Sequence, residues 1–426
     1  MPRDGTLKIS ATSICRAVAR RLSMAKKRYL PAALILLSGI GCPAGFAQAA
    51  DGPPGQVRFF VDAKSNFSPW IKKPTETQKQ FMRENYYRMQ VYSPYFDKRL
   101  AWFPNAWEYE DAYKIKPDGD TVRRHPEWVM RDAAGNMLYI PYACKNGTCP
   151  QYAADFGNPE FRSYWIERLA KNMREGYIGI WVDDVNMQWR VGDGNGDHVK
   201  PMDPRTGKEM RLADWQRYLA EFMEEVRKRF PDAEIAHNVI FWAEPADGNS
   251  EYLLRQALAA DYINLERGVT AGKGLAGGDG KYGFRTFLAY IDWVHSLGRN
   301  VILDDDDSDS IKDRNLELAF YFLINNGGDL IGADGDRARM NPDNFWSGYR
   351  LNLGKALGDR RENNGLFRRD FECGLALVNE PGQLSRSIDL GQPMTALSGR
   401  SVRVVTLKGG EGEVLVSGCQ QDAEGF

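Results

Sequence analysis

The chain repeatedly runs short apolar stretches into acids. Ile180-Trp181-Val182 leads directly into Asp183 and Asp184, and Tyr262-Ile263-Asn264-Leu265 leads into Glu266. Val301-Ile302-Leu303 ends in Asp304, Val57 to Val61 in Asp62, and Leu330 to Ala333 in Asp334, while Glu234 to Ile240 carries Asn238 near its end. If these stretches are parallel strands, the acids collect at one end of the sheet. Two facing carboxylates can hydrolyse a glycosidic bond: one protonates the leaving oxygen, the other attacks the anomeric carbon or activates water. Clustered acids can instead hold a divalent cation. The four histidines (His125, His198, His237, His295) are scattered, which leaves little for a zinc site or a metal-dependent deacetylase or esterase.

Asp183 is the first candidate for a catalytic carboxylate, although an Asp after a strand can also simply start a turn. Glu266, two strands later, is its expected partner across the mouth, with Glu244 in Phe241-Trp242-Ala243-Glu244-Pro245 as the second choice. Asp62, Tyr92, Asp184, Asn238, Trp242, Arg267 and Asp304 are expected to bind substrate. The run Asp304-Asp305-Asp306-Asp307 reads either as a solvated loop or as a binder of sugar hydroxyls or a cation. Asp193-Gly194-Asn195-Gly196-Asp197 has the look of a calcium loop but lacks the later Glu at the right spacing. Trp181, Trp189, Trp242 and Tyr92 are candidate sugar platforms, Trp181 being also a core candidate. No metal and no cofactor is expected.

The elements that position these residues alternate. Helical patterns are predicted over Glu76 to Asn85, Asn158 to Arg174, Leu212 to Phe230, Glu251 to Ala259, Phe284 to Leu297 and Asn315 to Asn325. The second of them opens with Asn158 as cap and Pro159 in the first turn. Strands are predicted between them, with Tyr87 to Tyr92 as the second. Ser93 to Glu127 is read as an aromatic insertion, and Met137 to Tyr142 as the third strand or a hairpin beside it. About eight strands in such alternation predict an α/β fold, a closed (β/α)8 TIM barrel, over residues 50–355. No GxGxxG follows a strand, which weakens a dinucleotide-binding reading. Residues 356–426 change style, with short alternating runs between Gly, Pro and Asn turns, and predict a small C-terminal antiparallel β domain.

Residues 1–49 read as a signal region: a basic Lys26-Lys27-Arg28, an apolar Leu30 to Ile40, and Ala47-Gln48-Ala49 before the cleavage point, with a start at Met24 as an alternative. Export to the periplasm or beyond is expected, lipoprotein anchoring at Cys42 is disfavoured, and no membrane span is expected in the mature chain. The remaining chain has 48 basic and 56 acidic residues, a net charge near −8. That argues against nucleic acid and anionic membranes as partners and suits a neutral or cationic polymer. Cys144 and Cys149 are close enough in sequence to close a short loop in an oxidising compartment.

The segment Gly176-Tyr177-Ile178-Gly179-Ile180-Trp181-Val182-Asp183 resembles the nucleophile strand of the α-glucosidase/α-galactosidase group of retaining glycoside hydrolases. With Ile263-Asn264-Leu265-Glu266-Arg267-Gly268, the acids after Leu303, and the closing stretch Asn364 to Pro381, the chain from about 57 to 416 resembles the hypothetical glycosyl hydrolase families related to that group, GHL15 in particular. The departure is Asp184-Val185-Asn186, where relatives often place another acid. The resemblance implies a glycoside hydrolase acting on a poly- or oligosaccharide, a retaining mechanism, Asp183 as nucleophile and Glu266 as acid/base. The rival expectation is a barrel that binds a polysaccharide without turnover, in exopolysaccharide assembly or export.

Overall fold

The computed structural model describes residues 52–63, 67–92, 102–239, 251–270, 274–304, 310–334 and 340–418. The expected signal region, Trp242, Glu244 and Asp305 to Asp307 lie outside them.

Eight parallel strands close into a barrel: β1 Phe59–Ala63, β2 Arg88–Tyr92, β3 Ala106–Asp111, β4 Gly179–Asp183, β5 Glu234–Val239, β6 Tyr262–Glu266, β7 Asn300–Asp304 and β8 Leu330–Asp334. Each pairs with its neighbour in sequence, and β8 closes on β1 with Phe59 opposite Ile331. Among the described residues, six helices of nine or more residues accompany them: α1 Glu76–Asn85, α2 Pro159–Met173, α3 Leu212–Arg229, α4 Glu251–Ala259, α5 Phe284–Ser296 and α6 Ile311–Ile324. Their starts follow from local chemistry. Thr75 and Gln78 form a capping box on α1, and the Asn158 side chain accepts from the amides of Glu160 and Phe161 at the start of α2. The expected start of the last helix, Asn315, is corrected to Ile311, because Ser310 caps the Asp313 amide and adds a turn.

Strand alternation sorts the side chains. Phe60, Trp107, Trp181, Tyr262, Ile302 and Leu330 fill the barrel interior around the small Ala236, and Phe60 stacks on Trp181 at 5.0 Å. At the bottom, Arg88 donates from Nε and Nη2 to the two carboxylate oxygens of Glu234, at 2.6 and 2.7 Å, and Trp107 Nε1 adds a third bond. The bottom is therefore held by an ion pair with a third donor, and the acids at the other end face the open mouth.

The third strand differs from expectation. It is Ala106–Asp111, inside the stretch read as an insertion, and Met137 to Tyr142 is part of a wall beside the mouth instead, bridging through Tyr139 to Tyr152 and Gly192. The reason is the sequence Ala-Trp-Glu-Tyr-Glu-Asp. Trp107 and Tyr109 point into the barrel, while Glu108 and Glu110 point outward and are buried beneath α2, where Asn172 donates to Glu108 at 2.8 Å and Arg168 pairs with Glu110 at 2.8 Å. Acids on the buried outer face hide the strand from a search for apolar runs.

That burial makes a test. Loss of water raises Glu108 to about 8, against the Asn172 hydrogen bond and with help from Glu110. In the unfolded chain such a group titrates near ~4.3. The folded chain holds the proton more tightly, so the contribution of Glu108 to stability is fully present below the unfolded value and is lost as pH rises through about 8. Glu108→Gln cannot ionise. In urea unfolding the variant should gain on the wild type between about pH 5 and about pH 8.5, by a few kcal/mol at ~1.4 kcal/mol per unit. A difference constant across that range would show that burial does not hold the proton.

After the barrel, β9 Arg361–Asn363, β10 Leu366–Phe371, β11 Gly374–Asn379, β12 Arg386–Ala396, β13 Ser401–Leu407 and β14 Glu411–Val416 form an antiparallel sheet in the order β9-β10-β11-β14-β12-β13. The sheet lies against α6. Gly412 permits the close approach, since a Cβ there would sit 2.9 Å from Leu316 Cα, and Arg369 donates to the Asn325 carbonyl at the end of α6 at 2.7 Å.

Candidate active site

The strand ends bring Asp62, Asp111, Asp183, Asp184, Asn238, Glu266 and Asp304 to one cleft of about 260 Å³, floored by Trp181. Buried tryptophans on the helices steady its rim. Trp165 of α2 donates from Nε1 to the carbonyl of Asp111, and Trp215 of α3 donates to that of Asn186, both anchoring chain that leaves a strand end.

Asp183 is held by three donors. Tyr109 Oη donates to Oδ2 at 2.6 Å, and Asn238 Nδ2 and the Asp184 amide donate to Oδ1 at 2.8 Å each. The same Asn238 Nδ2 donates to Glu266 Oε2 at 2.8 Å. One amide thus spans both carboxylates, and their bridged oxygens are no farther apart than twice that distance, about 5.6 Å. Asn238 is aimed in turn by Asn264, whose Nδ2 donates to Asn238 Oδ1 at 2.7 Å and to Asp304 Oδ2 at 2.9 Å. Register explains the chain of contacts. Asn238 lies opposite Asn264, and Glu266 opposite Asp304, so polar residues at successive strand ends fall within reach.

The other acids are more enclosed. Asp62, Asp111, Asp184 and Asp304 are all under 10% exposed, whereas Asp183 and Glu266 are half-buried and reach into the cleft. Asp184 sits in the left-handed region at φ 57°, turned from the strand axis, with Arg190 at 2.6 Å from Oδ1 and Asn186 Nδ2 at 3.2 Å. Burial first, then the charges of Asp183 and Asp111, push Asp184 well above the usual carboxylate range, and Arg190 opposes them. Burial also raises Asp111 to about 7; Lys114 pulls it down and Asp183 pushes it up. The pair of bases in the lining, Lys114 and Arg190, offsets part of this crowded negative charge.

The model of hypothetical glycosyl hydrolase family 15 matches residues 88–375. The chain belongs to this family. As a member of GHL15 it is a glycoside hydrolase, and its substrate is a carbohydrate. The chain is similar to the glycoside hydrolase domain of PelA from Pseudomonas aeruginosa, at 13% identity over 66% of this chain and 95% of that one, TM-score 0.40. It is similar to the GH36 α-galactosidase AgaB from Geobacillus stearothermophilus, at 11% identity over 85% and 55%, TM-score 0.43. An α-amylase from Anoxybacillus aligns at 12% identity over 86% and 99%, TM-score 0.43. No curated protein sequence matches the chain.

Of the site residues expected from sequence, this GHL15 chain brings Asp62, Asp183, Asp184, Asn238, Glu266 and Asp304 together. Arg267 turns away at φ 76°, is exposed, and is not among the residues lining the cleft. The side chains of Tyr92 and Trp242 lie outside the described residues. Trp189 packs on Trp215 at 5.3 Å rather than lining the cleft. The Asp193 loop is a self-capped turn, its Oδ1 accepting from the amides of Asn195 and Asp197. Among the described residues, no group of three or more His, Cys, Asp or Glu is arranged to hold a metal ion. Sequence reasoning missed Tyr109, Asp111, Lys114 and Arg190. The first two belong to the unrecognised third strand, where the period-2 alternation of aromatics and acids was the available signal.

Proposed function

We propose that this glycoside hydrolase is exported and works with retention of anomeric configuration, Asp183 acting as nucleophile and Glu266 as acid/base. The observation that carries the proposal is the Asn238 amide shared between the two carboxylates. A separation of about 5–5.5 Å suits direct attack by one carboxylate, while inverting enzymes leave about 6.5–9.5 Å for a water. The bound of about 5.6 Å on the bridged oxygens favours the former. Asp183 attacks the anomeric carbon as the glycosidic C–O bond breaks, and the Glu266 proton passes to the leaving oxygen. The Glu266 carboxylate then takes a proton from water, whose oxygen bonds to the anomeric carbon and releases Asp183. Asp62, Asp184 and Asp304 line the cleft where they can accept from sugar hydroxyls. Asn238, expected to do the same, has its amide engaged with the catalytic pair and positions it instead. The Cys144–Cys149 disulfide supports export, since such bonds persist in oxidising compartments.

Proton NMR of a cleaved glycoside, followed before mutarotation, tests the mechanism. The first-formed sugar should carry the anomeric configuration of the substrate. An inverted first product would remove Asp183 from the nucleophile's role and make it a base acting on water.

A further inference from the structure

One side of the cleft does not come from the barrel strands. Ile140, Tyr142 and Gln151, from the segment between β3 and α2, complete its lining. Of the three rings that line the cleft, Tyr109, Trp181 and Tyr142, the last is the exposed one, at 62%.

The backbone beneath this ring is held by several independent devices. Tyr142 N donates to the Ile140 carbonyl at 2.8 Å, and Ile140 N to that of Gln151 at 3.1 Å. Two residues on, the Cys144–Cys149 disulfide clasps a hairpin. Its tip is Asn146-Gly147, both at positive φ (54° and 76°), with Lys145 and Thr148 exchanging backbone hydrogen bonds, the geometry of a tight two-residue turn. A second loop buttresses the hairpin. A Cβ on Gly194 would lie 1.8 Å from the Gly147 carbonyl oxygen, so the two backbones are in direct contact. Tyr139 and Gly192 exchange backbone bonds at 2.8 and 2.9 Å, and Gly192 lies two residues from Arg190, which pairs with Asp184.

Leu138 and Ile140 anchor this segment in the core, and the constraint beyond them falls on a solvent-facing ring. That constraint suits a binding surface, because a group fixed in advance has less freedom to lose when ligand arrives. A tyrosine ring offers a flat apolar face with a polar tip, which matches the C–H face of a pyranose ringed by hydroxyls. The floor and catalytic end of the cleft are mainly polar, apart from Trp181 and the ring of Tyr109, and take the reacting unit. We infer that Tyr142 is the aromatic platform of a neighbouring subsite, taking the next pyranose of an oligo- or polysaccharide, and that the disulfide-clasped hairpin holds the ring in place. The protein is thereby built for substrates of two or more units. This inference rests on the proposed assignment of the catalytic pair.

The test uses p-nitrophenyl glycosides of glucose, galactose and their 2-amino and 2-acetamido forms, in both anomers, to find the sugar the wild-type protein cleaves. Oligomers of two to six units of that sugar follow. The readout is kcat/KM on the four-unit substrate divided by kcat/KM on the single-unit glycoside. Tyr142→Ala should lower that ratio about ten-fold, through KM. Tyr142→Phe and Tyr142→Trp should hold it, and the double variant Cys144→Ser, Cys149→Ser should lower it in the same direction as Tyr142→Ala. A ratio that Tyr142→Ala leaves in place overturns the inference, and so does an equal loss in Tyr142→Phe, which would point to the hydroxyl instead of the ring. A wild-type protein that cleaves single units but gains nothing with chain length overturns the subsite alone. One that cleaves none of these probes overturns the catalytic assignment, and the subsite with it.

Discussion

Asp183→Ala should lose on the order of 10⁶-fold in kcat on an aryl glycoside, the scale seen when the nucleophile of a covalent mechanism is removed. The variant should fold, because the three groups that donate to Asp183 all border the cleft, where water can replace it. Its urea midpoint therefore serves as a control. The sharper expectation concerns azide. In the proposed mechanism, removing the carboxylate opens space on the face of the sugar that Asp183 attacks, while Glu266 still protonates the leaving group. Azide entering that space should restore turnover and give a glycosyl azide of configuration opposite to the substrate. Loss of activity without rescue, and with an unchanged urea midpoint, would leave Asp183 as a binding residue. Rescue with retained configuration would exchange the roles of the two acids.

Why the strand that ends in Asp183 was legible while its neighbour was not has a physical answer. Gly179–Asp183 is buried on both faces and reads as apolar until its final residue. That is the usual appearance of a strand covered by helices outside and packed side chains inside. The adjacent β3 meets the same burial differently. Its outward face meets Glu108 with Asn172 and Glu110 with Arg168 and Lys114, contacts made by residues well separated in the chain or on the far side of a turn. Nothing local announces such partners, so the acids read as surface. Tyr109 and Asp111 disappeared with the strand, although both reach the cleft.

The two kinds of site residue differ in the same way. Acids at strand ends were visible because the barrel topology alone sends them to one mouth. Register then makes neighbours of Asn238 and Asn264, and of Glu266 and Asp304. The wall carrying Tyr142 was not visible, because it depends on a hairpin turning back across the mouth and pairing with a loop some fifty residues later, Tyr139 with Gly192. Cys144 and Cys149 were legible as a short loop, yet sequence gave no sign of what that loop supports. Arg267 shows the reverse error. Adjacency to Glu266 suggested a shared site, but the positive φ at Arg267 carries its side chain out to solvent.

Glu266→Ala should divide substrates by their leaving groups. An acid/base residue contributes about 10²–10⁴-fold where the departing oxygen needs a proton. Oligosaccharides should lose that much, while dinitrophenyl glycosides, whose phenolate leaves without help, should form the glycosyl-enzyme at close to the wild-type rate. Water then attacks slowly for want of a base, so the covalent ester on Asp183 should accumulate, detectable as a burst and as added mass on the intact protein. Azide needs no base. It should attack this ester and give a glycosyl azide of the same configuration as the substrate, the opposite of the product expected from Asp183→Ala. The two variants thus predict mirror outcomes from one reagent. The shared Asn238 amide gives a reason to expect both, since it holds each carboxylate when the other is removed. Equal losses on activated and unactivated glycosides would remove Glu266 from proton transfer. Attention would then pass to Asp111, which burial raises to about 7 in the same cleft.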